Sequence, residues 1–429
     1  MNTYVALLRR NRNYRHLWLA AVISQLGDWF NLVAAASLVA GLTNSGAAIS
    51  YLFLARFLPL FFFSPLAGVL ADRLNRRHLM ILSDLLRTLT VLGFLLVRGS
   101  QDVWLFYLLT VTQFALSAVF TPARTAVLAS IVAPEDLVTA NALDSFTWST
   151  MLAVGSLLGG VVATLFGVRA AFVVDATTFL ASAWFVSRIV IPQRIVGKRA
   201  AVSRGGWLDF VDGLRYLRRH SYILIISLVK VGGSLVWGAI NVLEVNFAER
   251  IFPIGGSSST TLGITYALTG LGTGFGPLLL RRWLGDAPAR MRWAITLGFW
   301  ILALGILGLS AAPTFAWFAL ATFFRTVGSG TIWVFSATML QMIVPDRFRG
   351  RVFASEFALL TLTQSISIYW AGLAQDQLQW GVRQVTASMG VAGIIVALLW
   401  SFFHLRTRSR PEPVTLSPLP PRQSSGPIV

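Results

Sequence analysis

Four ionisable side chains lie deep inside long apolar stretches, and no other residues in this sequence are better placed to do chemistry. Asp28 stands within 16–42, Arg56 within 46–71, Lys230 within 220–246 and Arg325 within 314–342. A charge near the centre of a hydrocarbon layer costs about 2.5–3.5 kcal/mol on insertion scales. Such a group persists where it is paired, carries a proton or touches a ligand. One acid among three bases at similar depth permits a cycle. Protonation of Asp28 releases a cation, and deprotonation recaptures it. Three readings of Asp28 are open from sequence: a proton- or ion-coupling switch with Arg56, a static Asp28–Arg56 ion pair locking two spans, and direct ligand contact. Arg56, Lys230 and Arg325 could draw in an anionic group, since guanidinium suits carboxylate and phosphate. Each could equally be satisfied by a structural partner. Trp29, Phe30, Trp237 and Trp333 could wall a cavity or pack as ordinary membrane aromatics.

The elements that must position these groups follow from composition. Of 429 residues, 55% are hydrophobic and 12% charged, whereas soluble proteins carry about 25% charged residues. This points to an integral membrane protein. The absence of cysteine excludes disulfides, thiolate chemistry and zinc–thiolate sites. No zinc, hydrolase, nucleotide-binding or potassium-filter motif occurs, so neither a metal nor another cofactor is expected, nor an enzyme.

Twelve apolar spans can be read, at 16–42, 46–71, 78–98, 103–125, 138–166, 168–191, 220–246, 258–281, 291–311, 314–342, 352–376 and 381–405. Each is long enough to cross about 30 Å of hydrocarbon as a helix. The first span is too long for the apolar core of a signal peptide, so no cleaved leader is expected. The net charge of +18 is strung between spans and does not read as a nucleic-acid surface. One set of loops holds nearly all the cations, among them Arg9, Arg10, Arg76, Arg77, Arg218, Arg281, Arg292 and Arg406. The other set holds only Arg98, Arg169, Arg250 and Arg383, so both termini are expected in the cytoplasm.

Residues 192–219 separate six spans from six, giving expected units of 1–191, 192–219, 220–405 and a disordered tail over 406–429. Helical apolar spacing over 207–217 predicts a surface helix in the linker. Residues 126–136 align without a gap on 337–347, each ending a span of rank four within its half, which suggests duplication.

After the second span comes Gly68-Val-Leu-Ala-Asp72-Arg73-Leu-Asn-Arg76-Arg77. It resembles the signature loop of the major facilitator superfamily. The fifth span carries Gly155-Ser156-Leu-Leu-Gly159-Gly160, similar to a motif of that family's exporters, with Ser156 where proline is usual. Small residues there also suit close helix packing alone. Phe120-Thr-Pro122-Ala-Arg124, Pro134 to Leu143, and Ser24 to Asp28 resemble one exporter branch, which includes macrolide-efflux proteins, the enterobactin exporter and, more distantly, the lysophospholipid transporter.

The resemblance implies an all-α membrane fold of two pseudo-symmetric six-helix bundles, working as a monomer by alternating access. The loop residues Gly68, Asp72, Arg73, Arg76 and Arg77, with Arg124 and Asp144, would form a conformational latch. Arg87, Asp84 and Glu356 are placed near the same membrane face, able to pair around that latch, and Glu244 near the other. The expected activity is proton-driven export of a small amphipathic substrate, a siderophore or a drug, with anionic or zwitterionic cargo favoured. Protons, that substrate and membrane lipids are the expected partners. Alternatives are a lysophospholipid transporter or a scaffold or sensor that moves nothing.

Overall fold

The computed structural model describes residues 2–43, 45–191, 206–255, 258–284 and 287–407. Fourteen helices account for almost all of them: α1 (Asn2–Arg10), α2 (Arg12–Thr43), α3 (Gly46–Arg73), α4 (Arg76–Gly93), α5 (Val103–Ile131), α6 (Leu137–Phe166), α7 (Val168–Ser187), α8 (Gly206–Arg219), α9 (Ser221–Asn246), α10 (Ser258–Leu284), α11 (Pro288–Ser310), α12 (Phe315–Ile343), α13 (Asp346–Asp376) and α14 (Val382–Thr407). All except α1 and α8 follow the expected spans in order and overlap them over most of their length.

Local chemistry sets many of the boundaries. The Ser45 hydroxyl accepts from the Ala48 amide at 3.1 Å and starts α3. Asn75 Oδ1 accepts from the amides of Arg77 and His78 and starts α4. Thr314 caps α12 in the same way, and these oxygens replace partners that a helix start lacks. Gly167 joins α6 to α7 at φ +81°, a left-handed conformation that favours glycine.

One boundary needs correction. The fourth span does not stop at 125: α5 runs through Pro122 to Ile131. Membrane helices tolerate proline because neighbouring helices satisfy the freed carbonyl. Among the described residues, eleven helices are long and apolar enough to cross a membrane. The remaining long helix, α10, is diluted by threonine and glycine and faces other helices.

The packing is twofold. Within α2–α7, the first helix packs on the fifth and sixth, the second on the fourth, the third on the fourth and sixth. Within α9–α14 the same five pairings recur: α9 with α13 and α14, α10 with α12, α11 with α12 and α14. The bundles meet through α3 with α13 and α6 with α10, which are each other's images under exchange of the halves. Large apolar side chains such as Leu89, Trp104, Leu165, Phe166 and Leu399 point outward, as a lipid-facing surface requires.

Among the described residues, hydrogen bonds between the bundles gather at the end where α2 and α13 finish and α3 begins. Asp376, at the last residue of α13, accepts from Ser45 Oγ at 2.5 Å and from the amides of Gly46 and Ala47 at 3.1 Å each. It therefore caps α3 from the other bundle, where a carboxylate complements the helix dipole. Ser37 joins Ser259 at 2.8 Å and Thr164 joins Thr260 at 2.9 Å. Because the chain has no cysteine, one introduced thiol can report on this seal. Ser50→Cys, buried against Gly372, should label about fivefold faster once Asp376→Ala removes the cap, the worth of a surface hydrogen-bond set. Unchanged labelling would show that the cap does not hold this end shut.

At the other end, α8 docks on the first turns of α13. Gly213 lies against Ser355 and the Arg351 backbone, and the Tyr216 ring stacks on Phe348 at 4.3 Å.

Candidate functional site

Asp28 lies midway along α2, as expected, but its partner is not Arg56. Arg87 of α4 donates to its carboxylate at 2.9 Å. The same guanidinium reaches Asp84 at 3.5 Å and lies 3.8 Å above the Phe179 ring. Asp84 Oδ2 in turn accepts from Ser182 of α7 at 2.7 Å. Arg87 and Asp84 therefore belong to the core of the first bundle rather than to the latch region. Exposure differs sharply along this chain: the Asp28 side chain is 32% exposed, that of Arg87 5% and that of Asp84 0%.

Arg56 donates to Asn31 Oδ1 at 3.4 Å and lies 4.5 Å above the Phe114 ring. It is within electrostatic reach of Asp28 and Asp175, and among the described residues it forms an ion pair with neither. A helix turn separates Asn31 from Asp28 on α2, so Asn31 carries Arg56 as a neutral stand-in.

Asp175 of α7 escaped the sequence reading. It is 0% exposed, and neither of its carboxyl oxygens has a hydrogen-bond partner. Its side chain occupies the place where a Cβ on Gly27 would sit, with that of Thr178 beside it. Gly27 thus permits the close approach of α2 and α7. The signal was present: Asp175 interrupts an apolar run as Asp28 does.

In the second bundle the cations are paired. Lys230 of α9 donates to Glu356 of α13 at 3.2 Å, with its Nζ 4.7 Å above the Trp333 ring. Lys230 and Trp333 are thus brought together. Arg325 of α12 pairs instead with Glu244 of α9. Of the three cations, Lys230 and Arg325 are each satisfied by a carboxylate, whereas Arg56 rests on the neutral Asn31. Tyr266 of α10 is buried, its hydroxyl unpartnered, within electrostatic reach of Arg56, Glu244 and Arg325. It places a phenol between the charges of the two bundles. Trp29 meets Trp148 edge-on at 5.9 Å, and Trp237 packs against the core from a partly buried position.

Removing one member of a buried pair leaves an uncompensated charge, at a cost of about 3–5 kcal/mol. Lys230→Met should therefore lower the thermal stability of the detergent-solubilised protein, and adding Glu356→Gln should restore most of it. Equal stability of the single and double variants would show that the pair carries no such energy.

Of the latch residues, Arg124 and Asp144 pair at 2.7 Å, and Arg77 donates to the Ser187 carbonyl. The side chains of Gly68, Asp72 and Arg73 lie outside the described residues. In α6, Gly155 faces Leu26 and Trp29, Gly159 faces the Phe30 backbone, and Gly160 faces Ser259 and Gly263 of the other bundle. The motif thus serves two interfaces at once.

Two six-helix halves with matched pairings, closed on each other by α3–α13 and α6–α10, form one recognised architecture. The sequence profile of the Major Facilitator Superfamily matches residues 17–355. The chain belongs to the major facilitator superfamily. It is accordingly a multi-pass membrane transporter and not an enzyme. It is 25% identical over 420 residues to the uncharacterized MFS-type transporter YfiS of Bacillus subtilis (strain 168), covering 92% of this chain and 93% of that protein. It is 24% identical to the proposed bacilysin exporter BacE of the same strain, covering 82% and 86%. Identity to the multi-drug resistance efflux pump PmrA of Streptococcus pneumoniae (strain ATCC BAA-255 / R6) is 26%, covering 68% and 70%. Among solved structures, a bacterial homologue of the human lysosomal transporter Spinster, inward-facing and occupied, superposes with a TM-score of 0.73 at 16% identity over 94% of this chain and 98% of that one.

Proposed function

We propose that this transporter exports a small amphipathic molecule, a siderophore or a drug, in exchange for protons by alternating access. The observation that carries this reading is the half-buried Asp28 carboxylate, held mid-helix by a buried guanidinium that already touches a second acid. Protonating Asp28 breaks its claim on Arg87, and Arg87 then turns wholly to Asp84. One proton thereby changes which helices the guanidinium ties together. An ion pair with a single acid would have no second position to move to. Exporters among the relatives support the direction.

The substrate contacts we assign to Trp29, Lys230, Trp237, Arg325 and Trp333. The Lys230 ammonium, beside Glu356 and beneath Trp333, can exchange its carboxylate for an anionic cargo group. The twofold packing supports rocking of the bundles about this level. The protein works as a monomer in the inner membrane, with both termini in the cytoplasm, where the arginine-rich loops favour them. Arg124–Asp144 and the basic loop around Arg76 then form the cytoplasmic latch.

Reconstituted protein supplied with siderophores, macrolides and lysophospholipids, and given a pH gradient, tests the reading. Cargo of the first two classes should accumulate against its own gradient only when the proton gradient is present. Movement of lysophospholipid alone, or accumulation independent of pH, would overturn it.

A further inference from the structure

The first bundle holds more buried acid than buried base at its centre. Asp28, Asp84 and Asp175 lie about Arg56 and Arg87, the cations that act on Asp84 and Asp175 among the described residues. Every guanidinium in the group is accounted for: Arg87 by Asp28 and Asp84, Arg56 by Asn31 and the Phe114 face. Asp175 alone takes no hydrogen bond at either oxygen, at 0% exposure. The Asn31 amide faces it, and that Nδ2 also lacks a partner.

An ionised carboxylate in that position would be an unpaired buried charge, which proteins avoid by pairing or by neutralising the group. No ion pair reaches Asp175: Asp28 and Asp84 share Arg87, and Arg56 is held at Asn31 and the Phe114 face. Neutralisation needs one proton, and one proton also balances the whole group: three carboxyls against two guanidiniums. We propose that Asp175 is the proton-carrying carboxyl of the first bundle, holding the single proton that leaves the cluster uncharged.

This deepens the antiport reading and rests on it for its role in transport. Asp28 is the entry point, being the most exposed of the three acids, while Asp175 is the sealed store. A proton enters on Asp28. One O–H bond then breaks at Asp28 as one forms at Asp175, and the freed Asp28 carboxylate takes Arg87, the arrangement seen here. Gly27 gives the store its place: a side chain there would push Asp175 away from α2. The groups facing Asp175 are Asp28 and Asn31 from α2, Arg56 from α3 and Arg87 from α4, with Asp84 tied to α7 through Ser182. The cluster therefore loads one proton per cycle.

Infrared spectroscopy of the full-length protein in lipid nanodiscs tests the site without any cargo. The wild type should show, at neutral pH, one protonated-carboxyl C=O band that shifts in heavy water. Asp175→Asn should abolish it. Asp175→Glu should move its frequency, whereas Asp28→Glu and Asp84→Glu should leave the frequency alone. Arg56→Gln should increase the band area about twofold, because removing one guanidinium calls for a second proton. If Asp175→Asn does not fold, the wild-type band and the Asp175→Glu shift still decide the matter. No wild-type band, or a band whose frequency follows Asp28 or Asp84, would overturn the assignment. An Asp175 band in a protein that shows no proton-driven transport would support the site and overturn the antiport reading; proton-driven transport without the band would do the reverse.

Discussion

Arg87→Met should be the most damaging single substitution in the first bundle. It strips the ion-pair donor that Asp28 and Asp84 share and removes the cation over the Phe179 face. A buried acid that loses its partner costs about 3–5 kcal/mol, more than half the stability of a marginal domain. The expected result is a protein that reaches the membrane poorly and unfolds at markedly lower temperature in detergent. Adding Asp84→Asn removes the most deeply buried orphan and should recover part of the loss. Arg87→Lys should fall between the two, because an ammonium cannot span two carboxylates as a guanidinium fork does. If Arg87→Met is as stable as wild type, the network through Asp28, Arg87 and Asp84 does not hold α2, α4 and α7 together.

Gly160→Leu should have the second-largest effect, on transport more than on folding. A Cβ on Gly160 would lie 2.6 Å from the Ser259 carbonyl oxygen and 3.0 Å from the Gly263 Cα, and backbone cannot swing aside as a side chain can. Overpacking of this kind costs about 1–3 kcal/mol. The contact joins α6 to α10 across the bundle interface, so the cost falls on the state in which this end is closed. Transport should drop about tenfold or more, a penalty of 1.4 kcal/mol per factor of ten. Gly155→Ala is the control, since its Cβ would meet only the side chains of Trp29 and Leu26 within the same bundle. Equal activity of the two variants would mean that the α6–α10 contact does not open and close during the cycle.

Most of the architecture was legible because the membrane imposes it. A span must satisfy its own backbone and cover about 30 Å, so helix positions follow from apolar runs alone. The rank match of residues 126–136 with 337–347 anticipated the repeated pairings of α3 with α5 and α10 with α12. The span drawn over 103–125 continues to Ile131 because a membrane bundle tolerates the Pro122 within it, and the polar residues after it do not end a helix whose neighbours satisfy its backbone. The site was less legible. Depth along a helix can be counted, which located Asp28, Arg56, Lys230 and Arg325. The direction in which a side chain points around the bundle cannot be counted the same way, so Asp28 was matched to Arg56 when Arg87 faces it. Glu244 and Glu356 were placed near helix ends, yet each closes an ion pair with a cation whose structural partner the sequence did not name. Asp175 needed only the criterion already applied to Asp28.

The central claim is that protonation of Asp28 moves Arg87 and so couples protons to cargo. The most direct test is cargo accumulation in proteoliposomes under a fixed pH gradient, comparing wild type with Asp28→Asn and measuring gradient-free exchange beside it. Asp28→Asn mimics the protonated acid permanently. One charge crossing 100 mV is worth about 2.3 kcal/mol, so loss of one coupled proton should lower accumulation about fiftyfold at that driving force. Exchange without a gradient should persist, since the cargo contacts are untouched. Normal gradient-driven accumulation by Asp28→Asn would contradict the account and leave Asp28 a structural partner of Arg87.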